Sequence, residues 1–170
     1  MPMEHRAYAF DWLRFESDLY LLLVGALAAN DPIELEAYID QHLDELTDPY
    51  EGEPLSPDWR DTLENRDVHE YGDYALTRFY APAVCRGIGY EWARLSDELP
   101  APAAKALLGF PVGPGDNRFD PGRYGSYFQT PGGVRESLAV LQAHACPALA
   151  EYLWLLEQCA AEGRGVYVTF

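Results

Sequence analysis

Prolines that directly follow capping residues constrain this chain more tightly than any other feature, because they mark where its helices begin. Thirteen prolines occur in 170 residues. Asp31-Pro32, Ser56-Pro57 and Thr130-Pro131 each join a residue that favours the N-cap to a proline suited to the first helical turn. The apolar spacing after Pro32 predicts a helix that runs to about residue 46. We therefore expect a chain of short helices that start at these positions.

Segments typical of strands lie near both ends of the chain and once between the helices. Residues 5–10 and the segment from Tyr124 to Gln129 are partly aromatic, and residues 166–170 are β-branched and aromatic. We predict an α+β fold, predominantly helical, in which the N-terminal segment, the middle segment and the C-terminal segment form a small sheet. The length predicts a single globular domain over residues 1–170.

The charge of the chain is strongly negative and unevenly distributed. The formal net charge is −16, and 19 of the 28 acidic residues lie in the first 73 positions with only four basic ones. The acidic helical region, residues 31–73, holds fifteen acidic residues and two arginines. Such a field repels nucleic acids and anionic membranes and attracts cationic surfaces. Because no lysine and arginine cluster is present to bind phosphates, we exclude nucleic acid as a partner.

The most accessible part of the acidic region is predicted to flank a proline-rich loop. Its carboxylates are Asp44, Glu45, Asp48, Glu51 and Glu53. They suggest a non-enzymatic, acidic protein-binding domain whose partner is a cationic protein. A bacterial immunity-type or antitoxin-type inhibitor of a basic toxin or nuclease is one concrete form of this hypothesis. The alternative, a charged face that only keeps the protein in solution, stays open.

The loop from Gly109 to Gly125 is rich in glycine and proline and is long for a compact domain. Arg118 and Arg123 could grip an anion there beside backbone amides, with Tyr124 next to them. The loop's own aspartates could instead pair with both arginines. This loop supports the alternative function, a small-molecule (anion) binding domain or an enzyme with its site at the loop.

No motif in the sequence indicates a cofactor or a catalytic centre. A phosphate-binding glycine loop, a nucleophile elbow and a zinc-protease helix are all missing. His69, Glu70 and Asp73 fall within five residues, and His69 would share a helical face with Asp73. Two ligands do not make a metal site, so a His–Asp hydrogen bond is the simpler interpretation. We predict no metal and no cofactor, and we favour a non-enzymatic role while leaving an enzymatic one open.

The composition favours a bacterial, cytoplasmic protein. The apolar run of residues 19–29 is too short to cross a bilayer, and acidic residues precede it where a secretory signal needs basic ones. Eleven arginines against the single lysine, Lys105, fit a GC-rich bacterial genome. The sequence determines neither the identity of a partner nor the oligomeric state.

The order of elements in the C-terminal part matches a known group. A strand-like segment at 124–128 is followed by the helix opening at Thr130-Pro131, a helix over 151–161, a glycine and a terminal strand. In this order, and in residues 71–76, the chain resembles the YfbM-like group of small uncharacterised bacterial proteins. The resemblance implies a compact α+β domain in a bacterial cytoplasm. It implies no activity, and no site residue is transferred from it.

Overall fold

The structure is a computed structural model and describes residues 3–170. These residues are 49% helical and contain eight α-helices and a three-stranded antiparallel sheet. The predicted α+β class, mostly helical with a small sheet, is therefore confirmed.

The helices are six to thirteen residues long. In chain order they are α1 Trp12–Asp18, α2 Tyr20–Ala29, α3 Ile33–Gln41, α4 Val68–Leu76, α5 Trp92–Glu98, α6 Ala101–Ala106, α7 Pro131–Gln142 and α8 Ala150–Glu162. The strands are β1 Arg6–Phe10, β2 Ser126–Gln129 and β3 Gly165–Thr169. Turns of 3-10 helix occupy Leu43–Glu45, Trp59–Thr62 and Pro147–Leu149.

The three proline signals have different outcomes. Thr130 caps α7 as predicted, because its side-chain oxygen accepts the N–H of Gly133 at 3.0 Å. The helix after Pro32 ends at Gln41, short of the predicted residue 46, because His42 leaves helical geometry and a 3-10 turn follows. Ser56-Pro57 precedes only a 3-10 turn. A capping signal thus marks a helix start more reliably than it marks the helix length.

The sheet has the order β1-β3-β2, so the C-terminal strand lies in the centre. Both neighbours of β3 run antiparallel to it, and Tyr167 pairs with Tyr8 on one side and with Phe128 on the other. The central position suits the β-branched and aromatic composition of β3, since a central strand is buried by its neighbours. All three predicted strands are confirmed.

The chain divides into two compact units. The sheet unit comprises the chain up to Trp12 together with Val84–Pro111 and Gly122–Phe170, and the helical unit comprises Leu13–Ala83 and Val112–Pro121. The three strands and α5–α8 belong to the sheet unit, whereas α2, α3 and α4 belong to the helical unit. The single domain over residues 1–170 stays a prediction beside this division.

The sheet unit is built around an apolar core. On one face of the sheet, Val166 and Val168 of β3 lie in a buried cluster with residues of α6, α7 and α8. Tyr167 points to the opposite face, where its ring stacks on Phe128 with centroids 5.0 Å apart. This alternation is the period of two that a strand imposes on its side chains.

The helical unit has an aromatic core. Trp59, fully buried, contacts the rings of Tyr71 and Tyr74 on α4 at 5.6 and 5.8 Å between centroids. Gly72 allows a further close approach, because a Cβ atom there would lie 2.8 Å from the ring of Phe119. Residues 112–121 of the long loop are therefore packed onto α4 within this unit.

Candidate functional site

The five carboxylates of the predicted acidic surface have different environments. Asp44 is exposed. Glu45 accepts hydrogen bonds from Arg78 at 3.0 Å and from Arg14 at 2.8 Å. These bonds, with that from Arg78 the stronger, lower the pKa of Glu45. Asp48 is turned toward its own backbone and accepts the N–H groups of the next turn at 2.7 and 3.0 Å.

The remaining two carboxylates lie on a hairpin-like loop, residues 47–54, which we call the acidic hairpin. Its ends are joined by a bridge between Thr47 and Pro54, and the N–H of Asp48 donates to the carbonyl of Glu53 at 2.8 Å. Glu51 and Glu53 are exposed. Tyr50, between Asp48 and Glu51, exposes 72% of its surface. The acidic hairpin therefore presents an aromatic ring among carboxylates.

Arg60 neutralises two further carboxylates of the acidic region. Its guanidinium donates to Glu36 at 2.6 Å and to Asp40 at 3.0 Å, and it lies over the ring of Trp59 at 4.6 Å. The bond from Arg60 lowers the pKa of Asp40, with a smaller contribution from the indole N–H of Trp59. These two acids on α3 are thus paired with Arg60, and Asp40 stays exposed.

Glu70 uses its charge to organise the start of α4. It is buried, and its carboxylate accepts three consecutive backbone N–H groups, those of residues 64–66, at 2.6–2.8 Å. Asp67 caps the same helix by accepting the N–H of Glu70 at 2.9 Å. The carboxylates therefore satisfy amide groups that the helix start leaves without partners.

Asp73 is the second buried acidic residue of the helical unit, with 8% of its surface exposed. Burial, together with the neighbouring charges of Asp48 and Glu70, raises the pKa of the carboxyl to about 7. A buried carboxyl beside two others favours the neutral form.

The His69–Asp73 hydrogen bond expected from the sequence does not form. The His69 Nε2 donates to Asn117 at 2.8 Å, while Nδ1 accepts the N–H of Asp120 at 3.1 Å. Asn117 in turn donates to the carbonyl of Leu27 at 2.8 Å. His69 is therefore a structural residue that ties the loop onto the helical unit. Among residues 3–170, no three His, Cys, Asp or Glu side chains are arranged to hold a metal ion.

The predicted loop site is divided between the units. Arg118 belongs to the helical unit, whereas Arg123 and Tyr124 belong to the sheet unit, and all three are exposed. Within the described residues neither arginine forms an ion pair. Tyr124 lines a cavity of about 280 Å³ together with Arg6 and neither loop arginine. The anion grip by the two arginines stays a prediction.

A larger cavity, of about 560 Å³, lies within the sheet unit between α6 and α7. We call it the α6–α7 pocket. Its residues recur every three or four positions on each helix, which places them on one face of α6 and one face of α7, and β2 supplies Phe128 and Gln129 at its end. The lining residues are Pro102, Lys105, Ala106, Gly109, Phe110, Phe128, Gln129, Thr130, Gly132, Gly133, Glu136, Ser137 and Val140. The volume is typical of small-molecule sites.

The start of α7 opens into this pocket. Gly132 is the second residue of the helix, so its N–H has no acceptor within the helix. The N–H of Gly133 is already bound to the Thr130 hydroxyl. The positive end of the helix dipole and the single lysine of the chain, Lys105, therefore meet at one pocket.

The two glycines of this turn are not required by packing. A Cβ atom on Gly132 would find no atom closer than 3.8 Å, and one on Gly133 would meet ordinary contacts from 3.4 Å. By contrast, Gly109 at the edge of the pocket is required, because a Cβ atom there would lie 2.3 Å from the Phe128 carbonyl oxygen. Glycine within a helix costs about 0.5–1 kcal/mol relative to alanine. The space in front of Gly132 is thus kept open at some cost to stability.

A buried amide on the pocket wall has an unfilled hydrogen-bond site. Gln129 is only 3% exposed, and its Nε2 donates to the Ala106 carbonyl at 3.1 Å and to the Tyr152 hydroxyl at 3.0 Å. These bonds assign the nitrogen, and the Oε1 of Gln129 has no hydrogen-bond partner. An unfilled buried acceptor costs roughly 1–3 kcal/mol, and this oxygen is enclosed by the protein rather than open to the pocket.

Sequence reasoning missed this pocket, although one signal was present. Thr130-Pro131 is a helix start, and two glycines directly after it are unfavourable in a helix unless the backbone needs to be approached closely. Nothing in the sequence places Lys105 beside them, because α6 lies far from α7 along the chain.

No helix among residues 3–170 combines the length and the apolar character needed to cross a bilayer. The resemblance to the YfbM-like group stays a prediction. Comparison with known proteins finds no matching protein-family model, no matching curated protein and no matching solved structure.

Proposed function

We propose that the protein binds a small organic anion in the α6–α7 pocket. The observation that carries the proposal is the open helix start of α7, where a free N–H and two glycines that packing does not require face the same cavity as Lys105. Helix N-termini bind carboxylates and phosphates through such N–H groups and through the helix dipole. Anion binding is the alternative function that the sequence left open. The site proposed for it is the α6–α7 pocket rather than the loop arginines.

Apolar walls accompany these polar groups. Phe110 and Val140 line the pocket and are both exposed, so an anion with an apolar body is a better fit than a bare inorganic ion. The net charge of −16 repels anions from the protein at long range. Lys105, which lines the pocket, offsets that repulsion locally.

The proposal is tested by calorimetric titration of the full chain with 3-phenylpropanoate and, separately, with inorganic phosphate. We expect 3-phenylpropanoate to bind and phosphate to bind more weakly. Gly132→Ala should weaken binding by about tenfold, since the methyl group occupies the approach to the free N–H. The same change should raise Tm by about 2 °C, because alanine favours the helix.

Arg123→Ala is the matched control, since it removes an exposed cation of the same unit that does not line the pocket. Lys105→Ala should weaken binding, and Arg123→Ala should leave it unchanged. If Arg123→Ala abolishes binding and Lys105→Ala does not, the binding site is at the loop and not in the pocket. If neither anion binds at millimolar concentration, the proposed function is wrong.

A second candidate function is the docking of a cationic protein at the acidic hairpin, as in an immunity-type or antitoxin-type inhibitor. The observation that favours it is the exposed ring of Tyr50 beside Glu51 and Glu53. Tyrosine is enriched among residues that dominate binding energy, and neighbouring carboxylates speed the approach of a basic partner.

Its test measures association with the basic proteins encoded beside this gene, by surface plasmon resonance at low and high salt. The double variant Glu51→Lys and Glu53→Lys should slow association and flatten its salt dependence, whereas Tyr50→Ala should mainly speed dissociation. Asp97→Lys, on an exposed position of α5, is the control. Absence of binding to every such protein at low salt would remove this candidate.

A further inference from the structure

Asp73 lacks the partners that other carboxylates of the helical unit have. Glu45 and Asp40 are paired with arginines, and Glu70 accepts three backbone N–H groups. Across residues 3–170, the Asp73 carboxyl forms no hydrogen bond and no ion pair. Although it is buried, its oxygens keep some contact with solvent, whereas the Oε1 of Gln129 has none. A donor from outside the protein is therefore able to reach it.

The acidic hairpin lies over the face of α4 that carries Asp73. Thr77 follows Asp73 by four residues, so the two share a face, and the Thr77 hydroxyl accepts the N–H of Thr47 at 3.1 Å. Burial and then the charge of Asp48 raise the pKa of Asp73. Partial burial and then the charge of Asp73 raise the pKa of Tyr50 to about 12. The unpartnered carboxyl therefore faces the hairpin.

The chemistry of this place favours a guanidinium group over a metal ion. In the part of the chain that the structure describes, no three acidic, histidine or cysteine side chains converge as a metal ion requires. A guanidinium binds a carboxylate through two parallel N–H groups and stacks on aromatic rings. Tyr50 offers a largely exposed ring beside Asp73.

On the basis of the second candidate function, the docking of a cationic protein at the acidic hairpin, we propose that Asp73 binds an arginine side chain of that partner. The guanidinium donates two N–H groups to the Asp73 carboxylate and stacks on the ring of Tyr50. Asp48 adds a second negative charge beside it. Because the carboxylate is shielded from water, this pair contributes more to binding than a pair on the exposed surface.

The experiment titrates the full chain with N-acetyl-L-argininamide, which presents a protein arginine side chain, and follows the backbone amides by NMR. N-acetyl-L-lysinamide keeps the charge without the planar group, and N-acetyl-L-citrullinamide keeps the planar group without the charge. We expect the argininamide to shift the amides of residues 47–54 and of α4, and to bind at least about fivefold more tightly than either analogue.

Variants assign the site to its residues. Asp73→Asn should weaken binding of the argininamide about tenfold, and urea denaturation shows that this variant is folded. Glu34→Gln, which removes an exposed carboxylate of α3 in the same unit, is the matched control and should leave binding unchanged. Tyr50→Leu should weaken binding, whereas Tyr50→Phe should retain it, because the ring and not the hydroxyl contacts the guanidinium.

The pH dependence is a readout that a merely structural Asp73 would not show. Binding should weaken about tenfold from pH 8 to pH 6, because the carboxyl, with a pKa of about 7, must be ionised. The titratable groups around it are Asp48, Glu70 and the hydroxyls of Tyr50 and Tyr74. Asp73→Asn leaves all of these in place and should make binding independent of pH in this range.

The outcomes separate this inference from the docking function. If a basic protein binds the natural chain and Asp73→Asn with equal affinity at pH 8, the docking function stands and the inference about Asp73 is wrong. Equal binding of the lysinamide or the citrullinamide also overturns it. If the argininamide binds through Asp73 and no basic protein binds, the docking function is wrong and the guanidinium site stands.

Discussion

The two compact units differ in net charge and in whether they bury charged side chains. The helical unit contains nineteen acidic and five basic residues, for a net charge of −14, whereas the sheet unit contains nine acidic and seven basic residues, for a net charge of −2. The buried polar residues of the sheet unit, such as His5 and Gln129, are uncharged at neutral pH, and burial lowers the pKa of His5 to about 4. The helical unit instead buries the carboxyl groups of Glu70 and Asp73.

This difference shows that not every acidic residue of the helical unit adds an unpaired charge to its surface. In the helical unit Glu45 and Asp40 are paired with arginines, and Glu70 binds three backbone amides. The carboxylates of the acidic hairpin, Glu51 and Glu53, remain exposed to solvent. The helical unit should therefore depend on charge and pH for its stability, and the sheet unit on packing.

The largest effect is expected at Glu70. Glu70→Ala leaves three adjacent N–H groups without their acceptor, and each unsatisfied donor costs about 1–3 kcal/mol. Because water can reach part of this turn in the variant, we expect a loss of about 3–4 kcal/mol in the free energy of unfolding, measured by urea denaturation. Hydrogen exchange should accelerate first in the amides of α4, and an equal acceleration in β3 would contradict the contrast between the units.

The second effect is pH dependence at Asp73. Its pKa is about 7 in the folded protein and near 3.8 when unfolded, so the folded state binds the proton more tightly. Stability should therefore fall as the pH rises from about 4 to about 7, and level off above that. Asp73→Asn should be more stable than the natural chain at pH 8 by several kcal/mol, and the difference should vanish near pH 4.

Urea denaturation of both proteins at a series of pH values measures this difference. Glu157→Gln, an exposed acid of the sheet unit, is the control and should leave the pH profile unchanged. Parallel profiles for Asp73→Asn and the natural chain would show that Asp73 does not titrate in this range.

The smallest effects compare one arginine from each unit. Arg78 of the helical unit is only 10% exposed in its side chain and binds Glu45 at 3.0 Å and Asp18 at 3.2 Å. Arg94 of the sheet unit is 52% exposed and bridges Glu91 and Glu98. We expect Arg78→Met to cost about 2 kcal/mol and Arg94→Met to leave stability unchanged by thermal or urea unfolding. Similar costs at both positions would contradict the comparison.

Much of the fold follows from local sequence patterns, whereas the pocket does not. The cap at Thr130 and the strands of the sheet are all visible as short-range signals, and the structure confirms them. The predicted helix after Pro32 is too long. Apolar residues continue at helical spacing beyond His42, where the backbone leaves helical geometry. The pocket is formed by α6, α7 and β2 together. No local sequence pattern predicts that α6 packs beside α7.

The same limit applies to the acidic region. The sequence alone determined the order of helices and strands and the excess of negative charge, because helix caps, periodicity and composition act over a few neighbouring residues. Only the tertiary structure decided which carboxylates meet an arginine, which bind backbone amides and which stay exposed. The reason is that Arg78 reaches Glu45, and Lys105 comes to line the same pocket as Glu136, only when distant segments pack.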